Sequence, residues 1–276
     1  MTKLRCIRQG ESISIDPLSP SFAHGVGLFE TMRLKARQLF FFQRHWQRMQ
    51  QSAQQLDLEL ACDPQAVIES IRALVDTDQL EDACIKLALI EDVDASSHLY
   101  VYARPCGPAP DSIALYYSPD YPINAHARLA GHKTHNYMEH RLLHARARKF
   151  GYYDQIRENT DGAIAETTLG NVFLVQGGSV VTPAEETGLL PGVARRLVLS
   201  QSQLPVRLDA KINAEDLYEA EAIFLTNSAV GIVPVHLIGS RQFPDHCIAS
   251  ASHPLVLDLK RQFASWQKSE AVSFSE

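Results

Sequence analysis

Two residues near the middle of the chain, a lysine and a glutamate, have side chains that could perform chemistry together. Lys133 precedes residues 137–151, in which apolar side chains recur at helical spacing. Glu166 ends the apolar run 163–165, which predicts the end of a strand where water is scarce. An amine can bind a carbonyl compound covalently, and a sheltered carboxylate can stabilise a cation. Either residue alone is as readily a solvated surface group, so the hypothesis that Lys133 carries a cofactor needs further partners.

Other residues supply the groups that a phosphorylated cofactor would need. The turn before Val193 runs from Pro191 and Gly192 directly into a predicted helix, whose first N–H groups form an anion site, although an ordinary helix start reads the same way. Ser228 offers a hydroxyl after a buried strand. Arg48 flanks the apolar stripe of another helix, so its head group either reaches solvent or points into a cleft.

Pyridoxal 5'-phosphate is a cofactor that requires all these kinds of group. Its aldehyde needs a lysine, its phosphate needs N–H donors and a cation, and its ring nitrogen needs a carboxylate to stay protonated as an electron sink. Residue types and spacing allow this assignment without establishing it.

The elements that must position these residues are of mixed type. The first half predicts an α+β pattern, with strands at 4–7, 12–15, 28–34, 83–90 and 98–103 and helices at 44–56 and 64–75. The second half predicts a β-rich α/β pattern, with helices after Lys133, after Gly192 and at 254–266. Prolines are frequent between Pro105 and Pro122, which predicts a linker with its boundary near residues 118–124. This boundary gives an N-terminal domain at 1–120 and a C-terminal, lysine-carrying domain at 125–276.

Composition restricts the class of protein. The chain has 276 residues, of which 45% are hydrophobic and 21% charged, and its net charge is −6, which is ordinary for a soluble globular enzyme. No basic cluster predicts nucleic-acid binding, and no long apolar run predicts a membrane span or a secretion signal. We therefore expect a cytoplasmic protein.

Cysteines and histidines point to neither a disulfide framework nor a metal site. The five cysteines lack paired spacing, so we expect reduced thiols. His140 and His144 lie four residues apart on the predicted helix, but no third ligand is spaced to complete a metal site, and we expect none.

Six motifs in order resemble the class IV aminotransferase family, the fold-type IV pyridoxal-phosphate enzymes. The resemblance covers roughly residues 20–56 and 130–240, and its pieces are GVGLFETMR, RHWQRM, K-x-x-N-Y at 133–137, G-x-x-x-E at 162–166 with Asn171, LLPGVARR and TNSAVGIVPV. It implies two α/β domains like those of D-amino acid aminotransferase, with the cofactor in the cleft between them. It also implies a small-molecule amine as substrate and a homodimer whose partner subunit helps to wall the site.

The same resemblance implies a role for each site residue. Lys133 would form the Schiff base and act as the base, Glu166 would pair with the ring nitrogen, and Tyr137 would lie near the ring hydroxyl. The phosphate would be held by Arg48, by the N–H groups of Val193 and Ala194, and by the hydroxyl of Ser228.

The family contains both lyases and aminotransferases, which share the first chemical step. FETMR and TNSAVGIVPV resemble 4-amino-4-deoxychorismate lyases, which release 4-aminobenzoate and pyruvate, more than branched-chain or D-amino acid aminotransferases; a non-catalytic relative is the remote alternative. Two departures from the usual lyase motifs argue against a lyase. Val26 replaces a usual aspartate, and the acidic run 91–94 replaces a usual arginine-glycine loop and would repel a dicarboxylate if it faced the site. If the acidic run does not face the site, it is a solvated turn. Arg104, Arg128 or His98 would then supply the cation that binds the substrate.

Overall fold

The computed structural model describes residues 2–242 and 244–275. Its strands are β1 (Lys3–Ile7), β2 (Gly27–Lys35), β3 (Gln38–Phe40), β4 (Asp82–Glu91), β5 (Ser97–Arg104), β6 (Ile113–Tyr117), β7 (Asp154–Glu158), β8 (Ile164–Thr167), β9 (Asn171–Gln176), β10 (Ser179–Pro183), β11 (Val206–Asp209), β12 (Ala222–Asn227), β13 (Gly231–Ser240), β14 (His246–Cys247) and β15 (Ala271–Ser273). Its α-helices are α1 (Pro20–His24), α2 (Phe42–Gln55), α3 (Pro64–Thr77), α4 (Met138–Lys149), α5 (Val193–Gln201), α6 (Ala214–Glu219) and α7 (Pro254–Ser269).

The chain divides into two α/β units, each with its own sheet. Unit 1 contains the residues up to Gly107, the segment His132–Asn136 and the residues from Gln267 onward. Unit 2 contains Pro108–Gly131 and Tyr137–Trp266. The predicted linker near 118–124 lies inside unit 2, and Lys133 belongs to unit 1; where separately folding domains begin and end stays a prediction.

Unit 1 is a six-stranded sheet in the order β1-β5-β4-β2-β3-β15. Side chains alternate between its two faces, because successive residues of a strand point in opposite directions. Leu28, Met32 and Leu34 on β2 join the buried core formed with α2 and α3. Phe29 and Thr31 lie on the opposite face of the sheet. Lys133 contacts Phe29 on this second face, which is therefore separate from the core.

The first strand pairs differently from the prediction. β1 lies parallel to β5, with Lys3 opposite His98, whereas residues 12–15, which the structure describes, are not in a strand. Leu4 and Cys6 of β1 pack against the core of unit 1. The predicted strand at 12–15 is therefore wrong, and the strand at 4–7 pairs instead with β5, where Leu4 and Cys6 become partly buried.

The segment that carries Lys133 is bound to the start of β2. The N–H of Phe29 donates to the carbonyl of Lys133 at 2.9 Å, and the N–H of His135 donates to the carbonyl of Gly27 at 3.0 Å. These two hydrogen bonds flank an antiparallel β-bridge between Leu28 and Thr134. Lys133 thus lies beside a strand, immediately before α4 as predicted.

Unit 2 is a nine-stranded sheet whose main order is β11-β10-β9-β12-β13-β6-β7-β8, with β14 paired to β13. Helix α4 packs against β7, and α5 packs against β11 and β12. Glu166 lies on β8 and Asn171 begins β9, as the sequence predicted for both strands. Among the described residues, no helix is both long and apolar enough to cross a membrane.

One expectation about the cysteines was wrong. Cys84 on β4 and Cys106 just after β5 form a disulfide, with their Cα atoms 5.2 Å apart. Because the pairing of β4 with β5 brings these residues together, spacing along the chain gave no sign of it.

Gly27 is a position where only glycine fits. Its φ is +151°, and an added Cβ would lie 2.3 Å from the carbonyl oxygen of Leu89 and 2.7 Å from the ring of His135. We predict that Gly27→Ala lowers the free energy of unfolding by more than about 1 kcal/mol and displaces the lysine segment. Urea denaturation measures this loss. Gly107→Ala is the control, because its Cβ meets no described atom within 4 Å; equal losses in both variants would contradict the prediction.

Candidate functional site

Lys133 lies against an aromatic ring of unit 1. Its Nζ is 4.5 Å from the centroid of the Phe29 ring, and Phe29 is 9% exposed. A cation over an aromatic face is stabilised by the negative potential of the ring. The ring and the backbone pairing together fix the direction of the lysine side chain.

Arg48 points inward rather than to solvent. Its Nε donates to Oε1 of Glu30 at 2.8 Å, and its Nη2 donates to Oε2 at 2.6 Å. His45 Nδ1 contacts the same Oε2 at 2.7 Å, and all three residues are buried. This paired geometry is the strong form of an arginine–carboxylate interaction.

The contacts among Glu30, Arg48 and His45 determine the protonation states of Glu30 and His45. Burial by itself would raise the pKa of Glu30, but Arg48 and His45 outweigh it and hold that pKa far below its usual range. Burial lowers the pKa of His45 despite the neighbouring carboxylate. The stable form is therefore an ionised Glu30 that accepts a hydrogen bond from neutral His45.

A second lysine, Lys86, lies near Lys133. Its Nζ is 3.9 Å from the Phe29 centroid and donates to Oγ1 of Thr31 at 2.9 Å. Burial lowers the pKa of Lys86 to about 7, and the charges of Lys133 and Arg104 lower it as well. This amine can therefore gain or lose a proton near neutral pH.

In unit 2, Glu166 is buried and oriented by the backbone. It is 6% exposed, and its Oε2 accepts a hydrogen bond from the N–H of Leu190 at 3.0 Å. His140 Nε2 lies 3.8 Å from its other oxygen. Glu166 is thus a carboxylate held in one orientation, with one oxygen directed toward an imidazole.

Tyr137 stacks on His140 beside this carboxylate. The ring centroids are 4.5 Å apart with an angle of 7° between the planes, and the Tyr137 hydroxyl donates to the carbonyl of Thr168 at 3.0 Å. Burial raises the pKa of Tyr137, and the charges of Glu166 and Asp154 raise it further. Tyr137 is therefore a neutral phenol at physiological pH.

Leu190, whose N–H is bound to Glu166, precedes the glycine turn at the start of α5. Asn171 Nδ2 donates to the carbonyl of Leu190 at 2.8 Å, so both polar backbone atoms of Leu190 are bound. An added Cβ on Gly192 would lie 2.2 Å from Oδ1 of Asn171. The buried Val193 and Ala194 follow, and the first amides of a helix have no intrahelical acceptor. This helix start can bind an anion.

Ser228 lies in the turn between β12 and β13. Asn227 Oδ1 accepts hydrogen bonds from the N–H groups of Ala229 and Val230 at 3.0 and 2.9 Å and so fixes this turn. Thr226 pairs with Asn171 across β12 and β9, and its buried hydroxyl has no hydrogen-bond partner among the described residues. The Ser228 turn and the Asn171 contact of the helix start therefore lie at the same end of β12.

The structure also places the acidic run that opposed a dicarboxylate substrate. Glu91 is the last residue of β4, and residues 92–96 form the turn to β5, where Val93 is 54% exposed. Asp92 lies 3.7 Å from His98, which also contacts Ser96. The acidic run is therefore a strand end followed by a surface turn, and Asp92 contacts His98, one of the candidate substrate-binding residues.

Sequence reasoning missed Glu30, Lys86 and the contact of His140 with Glu166. Glu30 is the glutamate of the FETMR motif. A charged residue on the core-facing side of an alternating strand is unusual, and this pattern could have identified it. Lys86 interrupts a continuous apolar run in β4, which is a similar signal.

Comparison with known proteins identifies the family. The sequence profile described as "Amino-transferase class IV" matches residues 27–238. The chain belongs to the class IV aminotransferase family, as its motifs predicted. The related proteins of this family that it resembles are enzymes, both lyases and aminotransferases.

Relatives of both kinds cover most of the chain. Aminodeoxychorismate lyase of Bacillus subtilis is 23% identical over 80% of this chain and 80% of its own length. The branched-chain-amino-acid aminotransferase of Escherichia coli is 25% identical over 84% of this chain and 82% of its own length.

Solved structures share the fold. A Legionella pneumophila protein proposed to be a 4-amino-4-deoxychorismate lyase superposes with a TM-score of 0.85 at 26% identity, covering 96% of this chain and 100% of that one. The E. coli branched-chain aminotransferase superposes with a TM-score of 0.83 at 20% identity, covering 95% and 94% of the two chains. The mixed α/β prediction of a fold-type IV enzyme is confirmed.

The buried pair in unit 1 makes a measurable contribution to stability. We predict that Glu30→Gln lowers the free energy of unfolding at pH 7 by about 3–5 kcal/mol, because Arg48 stays buried without a counter-charge. Asp82→Asn is the matched control, since its partner Arg33 is 3.4 Å away and Asp82 is 53% exposed, and it should cost at most about 1 kcal/mol.

The loss of stability caused by Glu30→Gln should depend on pH. The folded-state pKa of Glu30 is lowered, so its contribution is complete above the unfolded-state pKa of about 4.3 and is lost as the pH falls toward the folded value. Urea titrations from pH 3 to 7 should show the stability difference between wild type and Glu30→Gln shrinking below about pH 4. A difference that stays constant over this range would contradict the assignment.

Proposed function

We propose that the protein is a pyridoxal 5'-phosphate enzyme in which Lys133 binds the cofactor covalently. The observation that supports this most strongly is the binding of both polar backbone atoms of Leu190. One peptide segment thereby connects a buried carboxylate, Glu166, with a glycine turn and a helix start. These are the partners that a protonated ring nitrogen and a phosphate require.

The residues fit the cofactor in chemical type. Gly192 allows the Asn171 side chain to pack against the helix start, because a Cβ there would lie 2.2 Å from Oδ1 of Asn171. The buried hydroxyl of Thr226 lacks a hydrogen-bond partner among the described residues. We assign the phosphate to the N–H groups of Val193 and Ala194, the hydroxyl of Ser228 and the guanidinium of Arg48. Glu30 occupies two N–H groups of Arg48, so it orients the guanidinium while balancing its charge.

When bound, pyridoxal phosphate supplies an electron sink for the bond next to the substrate nitrogen. Glu166 would stabilise the positive charge at the ring nitrogen, and the Leu190 N–H keeps this carboxylate in place. Lys133 would hold the cofactor through its amine and, once released, would act as the base that removes the substrate proton. Tyr137, held by Thr168 and stacked on His140, would offer a neutral hydroxyl to the cofactor.

Within the family we propose a 4-amino-4-deoxychorismate lyase that forms 4-aminobenzoate and pyruvate. Its support is the FETMR and TNSAVGIVPV motifs together with the B. subtilis relative. An aminotransferase acting on branched-chain or D-amino acids is the alternative, supported by the E. coli relative. We further propose a cytoplasmic homodimer, as the resemblance to the family implies.

Cofactor attachment is tested by visible absorbance. The protein reconstituted with pyridoxal phosphate should show a visible band that Lys133→Ala abolishes, because that variant lacks the amine for covalent attachment. Lys149→Ala is the control, since Lys149 is an exposed lysine at the end of α4. Borohydride reduction and peptide mass mapping should place the cofactor on Lys133. A wild-type protein that stays colourless with added cofactor would overturn the proposal.

Substrate class is tested with the cofactor-loaded protein. A lyase should release 4-aminobenzoate from aminodeoxychorismate and leave the cofactor spectrum unchanged with a panel of L- and D-amino acids. Conversion of the spectrum to the pyridoxamine form by any of these amino acids would instead support transamination. Glu166→Gln should slow either reaction more than it weakens cofactor retention, because the carboxylate acts on the charge that develops in the ring.

A further inference from the structure

Two lysines approach the Phe29 ring from opposite edges of β2. The Lys133 segment pairs with one edge of β2 at Leu28, and β4 pairs with the other edge, where Lys86 lies opposite Thr31. The two Nζ atoms lie 4.5 and 3.9 Å from the centroid of this ring. Both amines therefore share one small region of unit 1.

The surroundings of Lys86 oppose its charged form. The titratable or charged groups that face it are Lys133 and His135 of the lysine segment, Tyr102 and Arg104 of β5, and Glu30 of β2. Burial and the two cations lower the pKa of Lys86, and only Glu30 raises it. Burial also raises the pKa of Tyr102, so this neighbour stays neutral.

Hydrogen bonding fixes the Lys86 amine in this position. Its Nζ donates to Thr31, which is two residues from Phe29 on the same face of β2. A lysine that served only as a cation would gain more from a carboxylate than from a hydroxyl. A hydroxyl can accept a hydrogen bond from the ammonium form or donate one to the neutral amine, so it accommodates both protonation states of Lys86.

We infer that Lys86 is a second acid–base residue of the lysine site, sharing one proton with Lys133 at neutral pH. The inference rests on the proposed function for its chemical step. Lys133 takes a proton from the substrate carbon and becomes an ammonium group. That proton passes to the neutral amine of Lys86, which becomes the ammonium group, so Lys133 is again a free base. The proton returns by the reverse transfer or is lost to water, and no oxidant or reductant is needed.

The shared proton is tested without any enzymatic assay. The full chain, labelled with ¹³C at lysine Cε, is titrated by NMR with and without pyridoxal phosphate, and the Lys86 signal is the one missing in Lys86→Arg. We expect its midpoint near pH 7, against about pH 10 for an ordinary solvent-exposed lysine. Lys133→Met should move the Lys86 midpoint upward, because it removes the neighbouring charge.

The catalytic step is tested with the cofactor-loaded protein. Lys86→Met should lower turnover of aminodeoxychorismate, or of the amino acid that the panel shows to be converted, by about 100-fold at neutral pH. Cofactor content should not change. Lys86→Arg should fail to restore the rate, because a guanidinium stays protonated and cannot accept a proton. The wild-type pH profile should show an inflection near pH 7 that both variants lack.

Three results would overturn the inference: a Lys86 midpoint with the exposed lysines, a midpoint insensitive to Lys133→Met, or full rescue by Lys86→Arg. Rescue would show that Lys86 acts only as a cation. The NMR titration of the cofactor-free chain does not depend on the proposed function. A colourless protein in which Lys86 titrates near pH 7 would therefore reject the cofactor while leaving the shared proton in place.

Discussion

The backbone pairing between residues 132–136 and the first residues of β2 determines where Lys133 lies. Two backbone hydrogen bonds and the bridge at Leu28 hold the segment, and Gly27 makes this approach possible because a Cβ there would meet the Leu89 carbonyl. A lysine on a free loop would lose side-chain and backbone entropy each time it engaged a ligand. Here that cost is met during folding, so the amine is positioned beforehand.

The two buried glutamates have different surroundings. In unit 1, Arg48 and Glu30 form a paired contact in which the opposite charges balance and the guanidinium has a fixed orientation. In unit 2, Glu166 is oriented by the backbone N–H of Leu190, and the His140 imidazole lies 3.8 Å from its other oxygen. A carboxylate held by a backbone N–H keeps its negative charge and can stabilise a cation supplied by a ligand. The contrast between the two glutamates matches the different roles proposed for them.

Much of the local structure was predictable because periodicity reports burial. The helix after Lys133, the strands around Glu166 and Asn171, and the glycine turn before α5 all lie where the sequence indicated. Long-range pairing was less predictable. The parallel pairing of β1 with β5 and the disulfide between Cys84 and Cys106 depend on which strands become neighbours, which local pattern does not encode. Arg48 stayed ambiguous for the same reason, since its partner Glu30 comes from another element.

The sequence by itself determined the family, because six motifs in a fixed order are specific, and it singled out Lys133 and Glu166 as residues of chemical interest. Only the tertiary structure decided how their neighbours set their properties. It brought Lys86 to the ring that Lys133 contacts and bound Leu190 to both Glu166 and Asn171. The physical reason is that a pKa depends on burial and on charges within a few ångströms. Those distances are fixed by sheet register and turn geometry, whereas residue type and spacing are properties of the chain alone.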